Sequence, residues 1–167
     1  MILYLADRDP YQLSASGAKK ILFSYYYHSD KKFGDLKKKF FPNGIKVFAD
    51  SGGFTAMEQG VEIDLPTYCE WLKENSQHFE AYANLDVIGN QVLTRRNQVF
   101  MEEEGTSPLP VFHIGSGFKE LKRLCEQYSY VAIGGMVPYM KKSNDINSFL
   151  KRVFEIAGDT KLHGFGC

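Results

Sequence analysis

The 167-residue sequence predicts an α/β fold of the (β/α)8 barrel type, on three observations. Short apolar runs recur along the chain, helical patterns fall between most of them, and run after run ends in a polar or glycine-rich turn. The runs span residues 2–6, 21–27, 45–49, 80–88, 110–114, 130–133 and 161–165. Most are continuous rather than alternating, as in strands covered on both faces. Strands alternating with helices imply right-handed βαβ units and a parallel sheet.

The helical stretches have start and stop signals. Residues 65–75 follow Asp64, a candidate N-cap, with Pro66 in the first turn. Residues 90–104 form a polar helix carrying Val92, Leu93, Val99 and Phe100. Phe118, Leu121, Cys125 and Tyr128 recur at helical spacing, as do Ile146, Phe149, Leu150, Val153 and Ala157. Gly158 sits where a helix C-cap belongs. Residues 31–41 read as a short basic helix or loop. With no linker or low-complexity stretch, residues 1–167 read as a single domain.

Composition narrows the function class. Lys plus Arg and Asp plus Glu each number 20, so the net charge is zero. Residues 1–46 nevertheless hold nine basic and four acidic side chains, a balance of +5. The basic segment with Lys19, Lys20, Lys31, Lys32, Lys37, Lys38 and Lys39 is expected to meet phosphates of a polyanion partner, the alternative being a solvated surface. Cys69, Cys125 and Cys167 lie far apart without CxxC spacing, which predicts a reducing compartment, no disulfide framework and no zinc site. No stretch approaches the roughly 20 apolar residues of a membrane span, and the N-terminus lacks a signal-peptide pattern. These features predict a cytoplasmic protein with no membrane partner.

The strand ends carry the chemistry. The third run delivers Asp50 into Ser51-Gly52-Gly53, the fourth leads to Asn84-Leu85-Asp86, and the fifth ends in His113-Ile114-Gly115. The sixth ends in Gly134-Gly135-Met136 and the seventh in His163-Gly164-Phe165-Gly166. In a (β/α)8 barrel all such ends lie on the active face. Paired glycines leave room for a flat ligand near the backbone. Each piece alone also reads as an ordinary turn; five in succession point to a functional face.

The string DSGGF after a strand resembles the signature of the guanine transglycosylases, which exchange guanine in nucleic acid for a 7-deazaguanine. NLDVIG, VFHIG, YVAIGGMVP and LHGFG follow in that family's order and spacing, from about residue 21 onward. These forms look closest to the branch acting on DNA, found in viruses and bacterial islands, rather than to the transfer-RNA enzymes. The resemblance implies that Asp50 meets the bound base and helps proton transfer, as the catalytic residue. It implies that Asp86 reads the guanine edge, since a carboxylate accepts from the adjacent N1–H and N2–H donors. It gives Gly134 and Gly135 the base's carbonyl oxygen, and groups Ser51, Gly52, Met136 and His163 with them as substrate-binding residues. His113 stands near where the transfer-RNA enzymes use a glutamine, so that contact differs here. No cofactor and no metal are implied for this chain.

Two departures bear on activity. The family's nucleophile is an Asp on the strand after HGFG, and here the sequence stops at Cys167. The family's Cys/His zinc site falls in the same later region. The sequence thus reads as a barrel domain apparently lacking its C-terminal strand and helices, completed by a second chain or a further segment. The alternatives are a non-catalytic base- or nucleic-acid-binding subunit, and an unrelated (β/α) enzyme in which DSGGF is a coincidental turn.

Overall fold

The computed structural model describes residues 2–30, 32–42, 44–137 and 143–166, the side chains of 143–145 excepted. Lys31, Cys167 and the Pro138 that ends YVAIGGMVP lie outside the described residues. The chain is α/β with parallel strands, paired strictly in sequence order. One sheet holds β1 (Leu5–Ala6), β2 (Lys20–Ser24), β3 (Lys46–Asp50) and β4 (Ala81–Tyr82). The other holds β5 (Val111–His113), β6 (Tyr130–Gly134) and β7 (Lys161–Gly164). Among the described residues a single parallel bridge, Ala83 with Leu109, links the two. The helices are α1 (Pro10–Ala15), α2 (Tyr25–His28), α3 (Phe33–Phe40), α4 (Gly53–Glu58), α5 (Leu65–Asn75), α6 (Gln91–Glu103), α7 (Phe118–Gln127) and α8 (Ser143–Ala157).

Side-chain alternation along the strands builds two layers of core. In β2 and β3, Ile21, Phe23, Val47 and Ala49 turn toward the helices and pack with Leu13, Phe33, Tyr68 and Leu72. In β5 and β6, Phe112, Val131 and Ile133 pack with Leu121, Leu124 and Val153 of α7 and α8. The intervening residues Leu22, Phe48, Ala83, Val111 and Ala132 share a third cluster fed by both sheets. There Phe48 stacks on His163 at 4.2 Å, and the Tyr4 ring meets both. Residues flanking β1 and within β7 thereby touch, although among the described residues β1 pairs only with β2 and β7 only with β6.

The expected strands and helices are present, with differences in extent; the run 2–6, for one, is strand only at Leu5–Ala6. The run 21–27 is strand only to Ser24, because Tyr25–His28 coil into α2 and the Tyr26 N–H turns to Ser51 O at 3.2 Å. The run 80–88 pairs only briefly, because the backbone of Leu85 and Val87 is bound by α6 instead. Asp64 caps α5 as expected, accepting from the Thr67 N–H at 2.9 Å. Asn90 caps α6 through Leu93 N–H. Among the described residues no helix is long and apolar enough to cross a membrane.

Candidate functional site

Asp50 is the last residue of β3, and its carboxylate is fixed by the turn that follows. Gly52 N–H donates to Asp50 Oδ2 at 3.1 Å, and Gly53 N–H to Ser51 Oγ at 3.2 Å. Gly52 takes φ 78°, and a Cβ there would lie 2.4 Å from Tyr26 Cβ and 2.5 Å from Ser24 Oγ. A Cβ on Gly53 would approach Asp86 O at 3.2 Å. The glycines thus admit the protein's own α2 and β4–α6 segments. The room expected there for a flat ligand is taken up by Tyr26 and Ser24 at Gly52, and narrowed by the Asp86 carbonyl at Gly53.

Asp86 is held from three sides. Asn97 Nδ2 donates to Leu85 O at 2.7 Å, and Val87 N–H donates to Thr94 Oγ1 at 2.9 Å, so the first turns of α6 fix the backbone on both flanks. Asn84 is fully buried and donates to Thr94 O at 2.9 Å. From β5, His113 Nε2 lies 2.6 Å from Asp86 Oδ2. His113 is 1 % exposed, and its Nδ1 has no hydrogen-bond partner among the described residues. Gly134 lets this imidazole lie flat against β6, since a Cβ there would be 3.1 Å from His113 Cδ2. Gly135 follows with φ 71° and the same ring beside it.

Asp50 and Asp86 lie close enough to influence each other. Desolvation, first, and the charge of Asp86, second, push the Asp50 carboxyl up to about 7, against the lowering effect of the Gly52 and Ser51 N–H groups. Burial is also the main reason that the fully enclosed Tyr68 phenol is raised well above its ordinary range, with both carboxylates adding to it. Tyr68 OH donates to Ala83 O at 2.9 Å, tying α5 to the strand that leads to Asp86.

The structure therefore brings together Asp50, Ser51, Gly52, Asp86, His113, Gly134 and Gly135. It places two other expected site residues elsewhere. Met136 is 1 % exposed and packs in the α7–α8 cluster. His163 stacks on Phe48 in the cluster shared by both sheets, where burial first and Lys161 second lower its pKa to about 4. Thr94, Asn97, Tyr68 and Gln91 were not singled out by sequence reasoning; the polar character of the 90–104 helix hinted at Gln91, Thr94 and Asn97, and nothing marked Tyr68 of α5. A cleft of about 940 Å³ runs from Gly53 and Asp86 past Met57, Val61, Ile63 and Leu93. Its lining has Glu62 and Asp64 as charges beside Asp86 and contains no Lys or Arg.

Lys19, Lys20 and Lys46 occupy the opposite end of the strands. Lys19 and Lys46 are bonded where β2 and β3 begin, and Lys20 and Lys46 both pair with Glu80 ahead of β4. Lys37, Lys38 and Lys39 form the last turn of α3, just before β3. The length of β3 separates Lys46 from Asp50, about 13 Å. Among the described residues no three His, Cys, Asp or Glu side chains converge to hold a metal.

No protein-family model matches the sequence, and no curated protein is significantly similar to it. The class defined by fold and site is a parallel α/β protein with a coupled carboxylate pair at its strand ends.

Proposed function

We propose that the chain binds a guanine-type base between Asp50 and Asp86 and takes part in exchanging guanine for a 7-deazaguanine in nucleic acid, in DNA rather than transfer RNA. The supporting observation is the carboxylate pair itself: one carboxyl raised to about 7, the other anchored by a buried imidazole. With Oδ2 bonded to His113, Asp86 keeps Oδ1 and a further lone pair for the two adjacent N–H donors of guanine. Asp50, poised near neutrality, suits proton exchange with the base.

In this reading a nucleophilic carboxylate attacks the sugar C1′ and the N9–C1′ bond breaks, with Asp50 giving its proton to the departing base. The incoming base then returns a proton to Asp50 and displaces the carboxylate, so configuration is retained. Neither step is a redox step. The frame is read as a (β/α)8-type barrel in which a strand from another segment or chain seats against the unpaired edges of β1 and β7 and supplies the nucleophile. Ile2, Leu3 and Leu5, exposed beside β1, favour such a covering element. The choice of DNA rests on the resemblance of the forms NLDVIG, VFHIG, YVAIGGMVP and LHGFG to the DNA-acting branch.

The second reading is a subunit that binds the base without catalysing its exchange. It is favoured by the engagement of other acids elsewhere: Asp9 and Asp64 cap helices, while Glu80 and Glu120 are ion-paired. Calorimetric binding of guanine, with Asp86→Asn as control, tests what both readings share; a covalent adduct with nucleic acid formed by this polypeptide alone would count against the second.

A further inference from the structure

The backbone leading into β5 begins an ordinary parallel ladder with β4. Leu109 N–H donates to Tyr82 O at 2.8 Å, and Leu109 O accepts from Asn84 N–H at 3.0 Å. Among the described residues the ladder ends there, because α6 binds the segment after Asn84 through Asn97 and Thr94. On the same edge of β5 stand Val111 O and the His113 N–H. Both residues are buried, so each group needs a partner.

Gln91, the first residue of α6, supplies both partners. Its Nε2 donates to Val111 O at 3.0 Å, and its Oε1 accepts the His113 N–H at 3.2 Å. A residue in a parallel ladder donates to one carbonyl of its neighbour and accepts from an N–H further along the same edge. The Gln91 carboxamide makes that pair of bonds, so it stands in for a strand residue opposite Phe112. The amide cannot be turned round, since its oxygen would then face Val111 O and its nitrogen the His113 N–H. Ser116 Oγ bonds the same Oε1 at 3.2 Å, which ties the turn after β5 to this side chain as well.

One helix thereby fixes both members of the contact between Asp86 and His113. Asn97 and Thr94 hold the backbone on the two flanks of Asp86, and Gln91 holds the backbone of His113 itself. A slide of β5 along this seam would move His113 Nε2 away from Asp86 Oδ2, now 2.6 Å distant. We propose that Gln91 is a positioning residue for the strand-end carboxylates: it sets His113 at the depth where the imidazole braces Asp86. Its effect on base binding rests on the function proposed above, whereas the placement of His113 does not.

The test joins NMR of the isotope-labelled chain to calorimetric titration with guanine. Facing a carboxylate, His113 Nε2 carries the proton, and a short bond of this kind shifts that proton far downfield. In wild type the downfield proton should be present, and a scalar coupling across the hydrogen bond should connect Gln91 Nε2 with the Val111 carbonyl carbon. Gln91→Met, similar in length without a polar group, should lose the downfield proton and weaken guanine binding by about tenfold or more. Gln91→Asn, one methylene shorter, should lose part of both, and it serves if Gln91→Met does not fold. Val153→Ala, in the cluster between α7 and α8, lowers stability away from this seam and should leave both readouts unchanged. A downfield proton kept in both Gln91 variants, or lost equally in Val153→Ala, would overturn the proposal, as would a missing coupling in wild type. Wild type that binds no guanine would count against the proposed function, and the His113 proton would still support or overturn the role of Gln91.

Discussion

His113 Nε2 and Asp86 Oδ2 lie 2.6 Å apart, with the imidazole 1 % exposed and pressed against Gly134. A buried donor that holds one carboxylate oxygen fixes the direction of the other. His113→Leu should leave Asp86 unbraced and weaken guanine binding by about 1–3 kcal/mol, whereas His113→Gln, which keeps an N–H donor, should recover part of it. Equal affinities for the two variants by calorimetry would show that packing, not the hydrogen bond, is what His113 contributes.

Asp50 predicts a pH dependence. Its folded-state pKa of about 7 lies above the unfolded value of 3.8, so the folded chain holds the proton more tightly. Stability should therefore fall as pH rises from about 4 to 7, with the full cost present above 7. Asp50→Asn removes that cost: the variant should gain about 4 kcal/mol over wild type at pH 8 and nothing below pH 4. Urea unfolding at several pH values reads this directly, and a gain independent of pH would contradict it.

Gly52 carries both a positive φ and two close neighbours, Tyr26 Cβ and Ser24 Oγ. Gly52→Ala should destabilise by roughly 2–4 kcal/mol, combining left-handed strain with a clash that moves α2. Gly60→Ala is the control, with φ 66° and open space around it; it should cost about 1 kcal/mol. Similar losses for the two would mean that the close approach at Gly52 is unimportant.

Much of the architecture was legible in the sequence because its signals are local. Asp64 as N-cap and Pro66 in the first turn marked α5, which runs Leu65–Asn75 as expected. The end of β2 was not legible, since a continuous apolar run cannot show where Tyr26 leaves the ladder for Ser51 O. The short β4 was hidden for a related reason: α6 side chains capture the backbone around Leu85, and a polar helix does not announce its partners. Asp86 and His113 were both named as site residues, yet their contact depends on how β5 is set beside the segment after β4, through the Ala83–Leu109 bridge. The basic segment was visible as charge but not as position.

That position yields a further expectation. Lys37, Lys38 and Lys39 close α3 at the start of β3, away from Asp50. If nucleic acid engages the Asp50 end alone, replacing all three by Ala should change its affinity less than threefold and leave the slope of log affinity against log salt unaltered. A slope reduced by two or three phosphate contacts would restore these lysines as part of the nucleic-acid surface.

The most direct measurement of the central claim is calorimetric titration of the chain with guanine, 7-deazaguanine and adenine, wild type against Asp86→Asn. Adenine is the discriminating ligand because it lacks the paired N1–H and N2–H donors. Wild type is expected to bind guanine and 7-deazaguanine and to prefer them over adenine. Asp86→Asn should lose about 1–3 kcal/mol for both while the fold, checked by circular dichroism, is kept. Equal affinity for guanine and adenine, or equal affinity in wild type and Asp86→Asn, would contradict a base-reading role for this carboxylate pair.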